Sequence, residues 1–140
     1  MKRLAMLTRP VSLLRLEGGA LLLIALLVYA HLDAPWVMFA LLFLVPDLSA
    51  VGYLAGSQAG AITYNLAHTT VPVAILAAGG ILSGNMVMLT LATIWFAHIG
   101  IDRFMGYGLK EADGFGHTHL GMKGSAQVPQ IAPAHRGTAT

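Results

Sequence analysis

Seven side chains that can bind metals, exchange protons or donate hydrogen bonds occur within otherwise apolar sequence. They are three histidines, three acids and one amide: Glu17, Asp47, Asn65, His68, His98, Asp102 and His119. His98 and Asp102 are spaced i,i+4, and Asn65 and His68 are spaced i,i+3, so each pair shares one face of a helix. An acid one turn from a histidine can fix the imidazole tautomer or share a metal ion with it. The pattern points to a metal site or to a proton relay.

Imidazoles and carboxylates suit the divalent ions of zinc, iron and manganese, and the absence of cysteine excludes thiolate ligands. The predicted metal ligands are His68, His98, Asp102 and His119. The predicted catalytic bases are Asp47 and Glu17. The other polar residues expected at the site are Tyr64, Asn65, Arg103, Tyr107 and Lys110. A metal ion held in this way could hydrolyse a lipid-like substrate, although no HExxH or CxxC motif fixes that chemistry.

The elements that must position these residues are four apolar segments. The chain is 56% hydrophobic and 10% charged, where a soluble domain has about 25% charged residues. Residues 16–102 contain no Lys or Arg. Each apolar segment is close to the length of about 20 residues that a membrane span requires, and the predicted spans are 11–30, 36–54, 61–82 and 86–104. The sequence therefore predicts an all-α integral membrane four-helix bundle with short loops.

The basic residues indicate how the bundle is oriented. Because Lys and Arg occur only towards the two ends of the chain and none lies in the loops between the spans, both termini are expected on the cytoplasmic side. The polar residues of all four spans then lie in the cytoplasmic half of the bundle, and the glycine-rich segment after span 4 is expected to fold back beneath them. Residues 1–121 are predicted to form one domain, and residues 122–140 a disordered tail. A cleaved signal peptide at the N-terminus is the alternative to the first span.

Several short segments of the chain together resemble a known family. They are Pro46-Asp47-Leu48-Ser49, Gly52-Tyr53, Tyr64-Asn65-x2-His68, His98-Ile99-Gly100-x-Asp102-Arg103-x2-Gly106-Tyr107-Gly108-Leu109-Lys110 and Thr118-His119-Leu120-Gly121. Over roughly residues 15–121 the chain is similar to small bacterial integral membrane proteins catalogued as domain of unknown function 4260. The resemblance implies a four-helix protein of the bacterial inner (plasma) membrane. It carries no assigned activity, cofactor or catalytic residue.

Three functions remain open at the level of sequence. The first is a metal-binding protein or metalloenzyme acting on a membrane-associated substrate. The second is an ion- or proton-coupled transport component, although the outer half of the bundle offers almost no polar path. The third is a structural or accessory subunit whose polar residues fasten four helices together. The expected partner is the lipid bilayer and not nucleic acid, and a homo-oligomer is left open.

The confinement of basic residues to the two ends predicts the topology. Reporter fusions after Lys2, Asp33, Ser57, Asn85 and Lys123 should report inside, outside, inside, outside and inside in turn. Paired alkaline phosphatase and fluorescent protein fusions in a bacterial host measure this directly. A periplasmic signal at Lys123 would contradict the prediction.

Overall fold

The computed structural model describes residues 9–111, 117–118 and 121–122. Four helical segments are long and apolar enough to span a membrane, which makes the chain an all-α, multi-pass membrane protein in contact with lipid. Span 1 is α1 (Pro10–His31), span 2 comprises α2 (Trp36–Leu42) and a 3₁₀ helix (Val45–Ala55), span 3 comprises α3 (Ser57–His68) and α4 (Thr70–Ser83), and span 4 is α5 (Met86–Met105).

A short antiparallel pair, β1 (His117–Thr118) and β2 (Gly121–Met122), follows the four spans. His119, one of the predicted metal ligands, lies outside the described residues. So does the predicted disordered tail, apart from Met122, whose backbone pairs with His117.

Spans 2 and 3 are each interrupted near the middle. α2 ends at Leu42 and α3 ends at His68, in both cases four residues before a proline, Pro46 or Pro72. Proline lacks an N–H group, and its ring collides with the carbonyl four residues earlier, so an α-helix does not run past it undisturbed. Breaks of this kind are tolerated at membrane depth where they are buried in protein or border a cavity.

The two interruptions take different forms. After Pro46 the chain continues as a 3₁₀ helix of 11 residues, much longer than the three or four residues that are usual for this structure. After α3 a single extended residue, Thr69, separates the two helices of span 3. Both interruptions bring a polar residue to the break, Asp47 in the first and His68 in the second.

α5 is the most buried span, and the bundle is arranged around it. α1 and α4 both pack along α5, while the 3₁₀ helix packs along α3. Val73 of α4 meets Ala92 and Ile99 of α5 in a fully buried apolar cluster. This packing leaves the polar residues of α5 facing other spans and not lipid, and His98 is only 1% exposed.

The contact between α1 and α5 depends on two glycines. A Cβ atom added to Gly100 would lie 2.7 Å from the backbone nitrogen of Leu22, and one added to Gly18 would lie 2.7 Å from that of Phe104. Small residues let helix backbones approach closely in membranes, where van der Waals contact is a main source of association. At this end of the bundle the Nε of Arg15 donates a hydrogen bond of 2.9 Å to the carbonyl of Phe104.

We call this end of the bundle the basic end, because it carries Arg15, Arg103 and Lys110. Spans 1 and 3 begin there, and spans 2 and 4 end there.

The glycine contact predicts how the packing of span 1 against span 4 responds to a small substitution. Gly100→Ala should destabilise the protein by about 1–3 kcal/mol, since the added methyl group overpacks a backbone contact that cannot yield. Gly79→Ala is the matched control, because the atom its Cβ would meet is the flexible end of Met88. The control should be neutral or slightly stabilising, since Ala exceeds Gly in helix propensity. The midpoint of SDS-induced unfolding in mixed micelles measures both, and equal midpoints for Gly100→Ala and wild type would contradict the prediction.

Candidate metal centre

Four side chains from three spans converge at one point inside the bundle. Asp47 comes from the 3₁₀ helix, His68 from the end of α3, and His98 and Asp102 from α5. One ligand atom of each residue lies within 4.8 Å of the ligand atoms of the others. The sequence predicts that these four residues come together in one buried cluster; their convergence is confirmed, but Asp47 is exposed. We call them the His₂Asp₂ group. Their roles as metal ligands or base stay predictions.

The distances between the donor atoms are close to those of a tetrahedral metal site. The two Nε2 atoms lie 3.1 Å apart. Nε2 of His68 is 3.4 Å from Oδ1 of Asp47 and 3.6 Å from Oδ2 of Asp102, and Nε2 of His98 is 3.5 Å and 3.8 Å from the same oxygens. Metal–ligand bonds of 2.0–2.2 Å place tetrahedral donors about 3.3–3.6 Å apart. The four donors can therefore surround one metal ion with little movement.

His68 is already held in the tautomer that a metal requires. Its Nδ1 lies 2.8 Å from the carbonyl oxygen of Tyr64, and because a carbonyl only accepts, Nδ1 must carry the hydrogen. In the neutral ring Nε2 then presents a lone pair to the other three residues. The Tyr64 ring stacks on the imidazole, with centroids 3.7 Å apart and planes 7° apart. The backbone and the neighbouring ring thus fix both the tautomer and the orientation of His68.

His98 is positioned by packing more than by hydrogen bonds. The ring of Phe43 contacts its imidazole edge-on, with centroids 5.5 Å apart. Its Nδ1 atom is buried and has no hydrogen-bond partner among the described residues. In the absence of a metal ion, the Nε2–H of His98 can donate to the lone pair of His68, which accounts for their 3.1 Å separation.

The two carboxylates differ in exposure. Asp102 is 20% exposed and accepts a hydrogen bond of 3.3 Å from the hydroxyl of Tyr64, whereas Asp47 is 49% exposed. Asp47 is therefore the member of the group that solvent or a substrate can reach most readily. It faces a cleft of about 310 Å³, which we call the polar cleft. The residues that line this cleft are Asp47, Ala50, Tyr64, Asp102, Tyr107 and Lys110.

The segment after α5 turns back to form one wall of the polar cleft. The side chain of Asn65 donates to the carbonyl of Lys110 at 2.9 Å and accepts from its backbone N–H at 2.7 Å. The ammonium group of Lys110 lies 5.0 Å from the centre of the Tyr64 ring. The predicted return of this segment beneath the polar residues is confirmed as far as Lys110, which also shares the cleft with Asp47.

Two further predicted residues lie close to the His₂Asp₂ group, and one lies apart from it. Arg103 and Tyr107 line a small gap beside Tyr64, His68 and Asp102. Glu17, predicted as a base, is exposed on α1 and belongs neither to the group nor to the lining of the polar cleft.

Phe43 and Pro72 belong to the surroundings of the site but were not predicted from the sequence. Phe43 packs on His98, and Pro72 explains why α3 ends at His68. The four-residue spacing from His68 to Pro72 was an available signal, since it repeats the spacing from the end of α2 to Pro46. Phe43 gave no such signal, because an aromatic residue in an apolar span most often faces lipid or packs in the core.

Comparison with known proteins identifies the family of the chain. Residues 11–122, which are 112 of the 140 residues, match the family described as Domain of unknown function (DUF4260). The chain belongs to this family. No curated protein and no solved structure matches it. All four residues of the His₂Asp₂ group lie within the part of the chain that matches the DUF4260 family.

The pairing of Asn65 with Lys110 predicts how the wall of the polar cleft can be loosened. Asn65→Ala removes two hydrogen bonds worth about 0.5–1.5 kcal/mol each, so tryptic cleavage after Lys110 should become roughly tenfold faster. Gln58→Ala, at an exposed position of the same helix, is the matched control and should be cleaved at the wild-type rate. Time-resolved mass spectrometry of the fragments measures the rates. Unchanged cleavage in Asn65→Ala would show that other contacts hold the segment.

Proposed function

We propose that the His₂Asp₂ group binds one divalent metal ion, with zinc the first candidate and iron or manganese the alternatives. The observation that carries this proposal is the set of five donor–donor distances, 3.1–3.8 Å, which is close to that of a tetrahedral centre. The tautomer of His68 supports it, because the carbonyl of Tyr64 turns the lone pair of Nε2 towards the other donors. The basic end, where the centre lies, is proposed to face the cytoplasm.

We infer further that this centre belongs to a metal-dependent hydrolase acting on a membrane-associated ester. A bound divalent ion supplies Lewis acidity, which makes a water nucleophile available near neutral pH. Asp47 is the donor exposed to the polar cleft, so it would give up its place at the ion to the attacking water and accept the proton of that water, while His68, His98 and Asp102 would hold the ion. The water oxygen forms a bond to the acyl or phosphoryl centre, the bond to the alcohol oxygen breaks, and that oxygen takes up the proton. Three ligands and one exchangeable position are typical of catalytic zinc sites.

A structural role is the second candidate, and specific contacts favour it. The indole N–H of Trp95 donates to the carbonyl of Ala67 at 2.7 Å, and Tyr64 donates to Asp102. Together with the contact between His68 and His98, these bonds join span 3 to span 4 without any metal. In this role the bundle needs no metal ion. Metal content separates the two functions.

The metal proposal predicts the composition of the purified protein. Detergent-purified wild type incubated with Zn²⁺ and dialysed should retain about one ion per chain, as one set of four donors allows. His68→Ala and His98→Ala should each weaken binding by more than tenfold, since even a residue that only supports a ligand contributes about 10–100-fold. Inductively coupled plasma mass spectrometry measures the metal content, and the visible spectrum of the Co²⁺-substituted protein reports tetrahedral coordination.

His31→Ala is the matched control, because His31 is exposed at the end of α1 and far in sequence from the group. It should bind zinc as wild type does. Wild type that retains no Zn²⁺, Fe²⁺ or Mn²⁺, or histidine variants that retain as much as wild type, would favour the structural role instead.

A further inference from the structure

We propose that the substrate is a bilayer lipid whose acyl chain lies in an apolar groove beside the His₂Asp₂ group and whose anionic headgroup lies in the polar cleft. This inference rests on the proposed function, because the headgroup is held partly by the bound metal ion. Two surfaces, the apolar groove and the polar cleft, would then select the substrate.

The apolar groove is a cavity of about 350 Å³ between spans 2, 3 and 4, within the size range of small-molecule sites. Most of its wall is aliphatic or aromatic. The lining includes Pro46, Ser49, Ala67, Leu76, Ile94 and Trp95. A cavity of this composition favours a hydrocarbon chain over a polar ligand.

The groove comes within one residue of the His₂Asp₂ group on two separate elements. Pro46 lines the groove and precedes Asp47, and Ala67 lines it and precedes His68. On α5, Ile94 lines the groove one turn before His98. The polar cleft begins at Asp47 itself. A molecule with an apolar end in the groove and a polar end in the cleft would therefore have its junction at the metal centre.

Ser49 provides a polar atom where such a junction is expected. It lines the groove two residues after Asp47, and its Oγ is buried with no hydrogen-bond partner among the described residues. Buried hydroxyl groups are nearly always paired, but this Oγ is closed off from the groove as the side chain stands. A rotation of the Ser49 side chain would be needed before the ester oxygens at the head of an acyl chain could accept its hydrogen bond.

The charges around the polar cleft favour an anionic headgroup once the metal is bound. Asp47 and Asp102 bring two negative charges, and a divalent ion together with Lys110 brings three positive charges. The balance of one positive charge attracts a phosphate or carboxylate, and it disappears when the metal is removed. A zwitterionic or neutral headgroup gains little from this balance. Bilayer lipid is the source favoured by the groove, since the groove opens among membrane-spanning segments.

A fluorescence experiment can detect a chain in the groove. The protein has two tryptophans, Trp36 and Trp95, and only Trp95 lines the groove. In Trp36→Phe protein, a brominated chain that enters the groove quenches Trp95 by contact. The probes are hexadecyl phosphate and hexadecanol, both brominated at mid-chain, added to nanodiscs of unbrominated phosphatidylcholine with Zn²⁺-loaded or EDTA-treated protein.

The proposal expects hexadecyl phosphate to quench Trp95 of the Zn²⁺-loaded protein at about tenfold lower concentration than hexadecanol, the factor given by 1.4 kcal/mol. EDTA should remove this preference. Ala67→Phe, which fills the groove, should lose the quenching while keeping its zinc. Ala74→Phe, at an exposed position of α4, is the matched control and should behave as the parent. Lys110→Gln should lose the preference for phosphate but still admit the chain.

The experiment distinguishes failure of the substrate proposal from failure of the metal proposal. The substrate proposal would be overturned if the two probes quenched equally, or if Ala67→Phe left the quenching unchanged. The metal centre would still stand in either case, provided that the protein contains zinc. A Trp36→Phe parent that retains none of Zn²⁺, Fe²⁺ and Mn²⁺ would overturn the proposed function itself, and this proposal with it. Should Ala67→Phe fail to fold, Lys110→Gln alone decides, because an unchanged preference for phosphate would contradict the headgroup site.

Discussion

Ionisable side chains are costly in hydrocarbon, by a few kcal/mol each even on the insertion scale, and this cost organises the whole bundle. Two imidazoles and two carboxylates from three spans can avoid it only by meeting one another. The resulting contacts fix how α3, α5 and the 3₁₀ helix face each other. Aromatic rings then seal the meeting point, Tyr64 on His68 and Phe43 on His98. The same arrangement that shelters the charges from lipid leaves four donor atoms at metal-binding distances.

Much of the fold and part of the site could be predicted from the sequence. The four spans follow from apolar length and from the confinement of basic residues to the ends. The convergence of Asp47, His68 and His98 follows from depth, since residues at equal distances from the basic end of alternating spans must lie at one level. The spacing of His98 and Asp102 added a shared helix face. The depth of a residue in the bundle and the helix face it occupies are both properties of a single helix, so the sequence alone can indicate them.

The remaining features depend on how neighbouring spans rotate against each other. Glu17 and Asp47 both lack a polar residue one turn away, so the sequence could not show that Asp47 would join the group while Glu17 is exposed on α1. The pairing of Asn65 with the backbone of Lys110 joins residues 45 positions apart through a tertiary contact. Phe43 follows the last residue of α2 and packs on His98, 55 positions further along the chain. Local patterns do not contain these relationships.

The 3₁₀ helix has a consequence for how the length of this chain can vary. With three residues per turn, side chains three positions apart lie in one row. Pro46 and Ser49 form a row on the groove, and Asp47 and Ala50 form a row on the cleft. Inserting or deleting one residue just after Val45 would rotate the rest of the 3₁₀ helix against the preceding segment by about 120° and move both rows away from the walls that they form. A change of three residues would preserve them, so natural length variation within this helix should occur in threes.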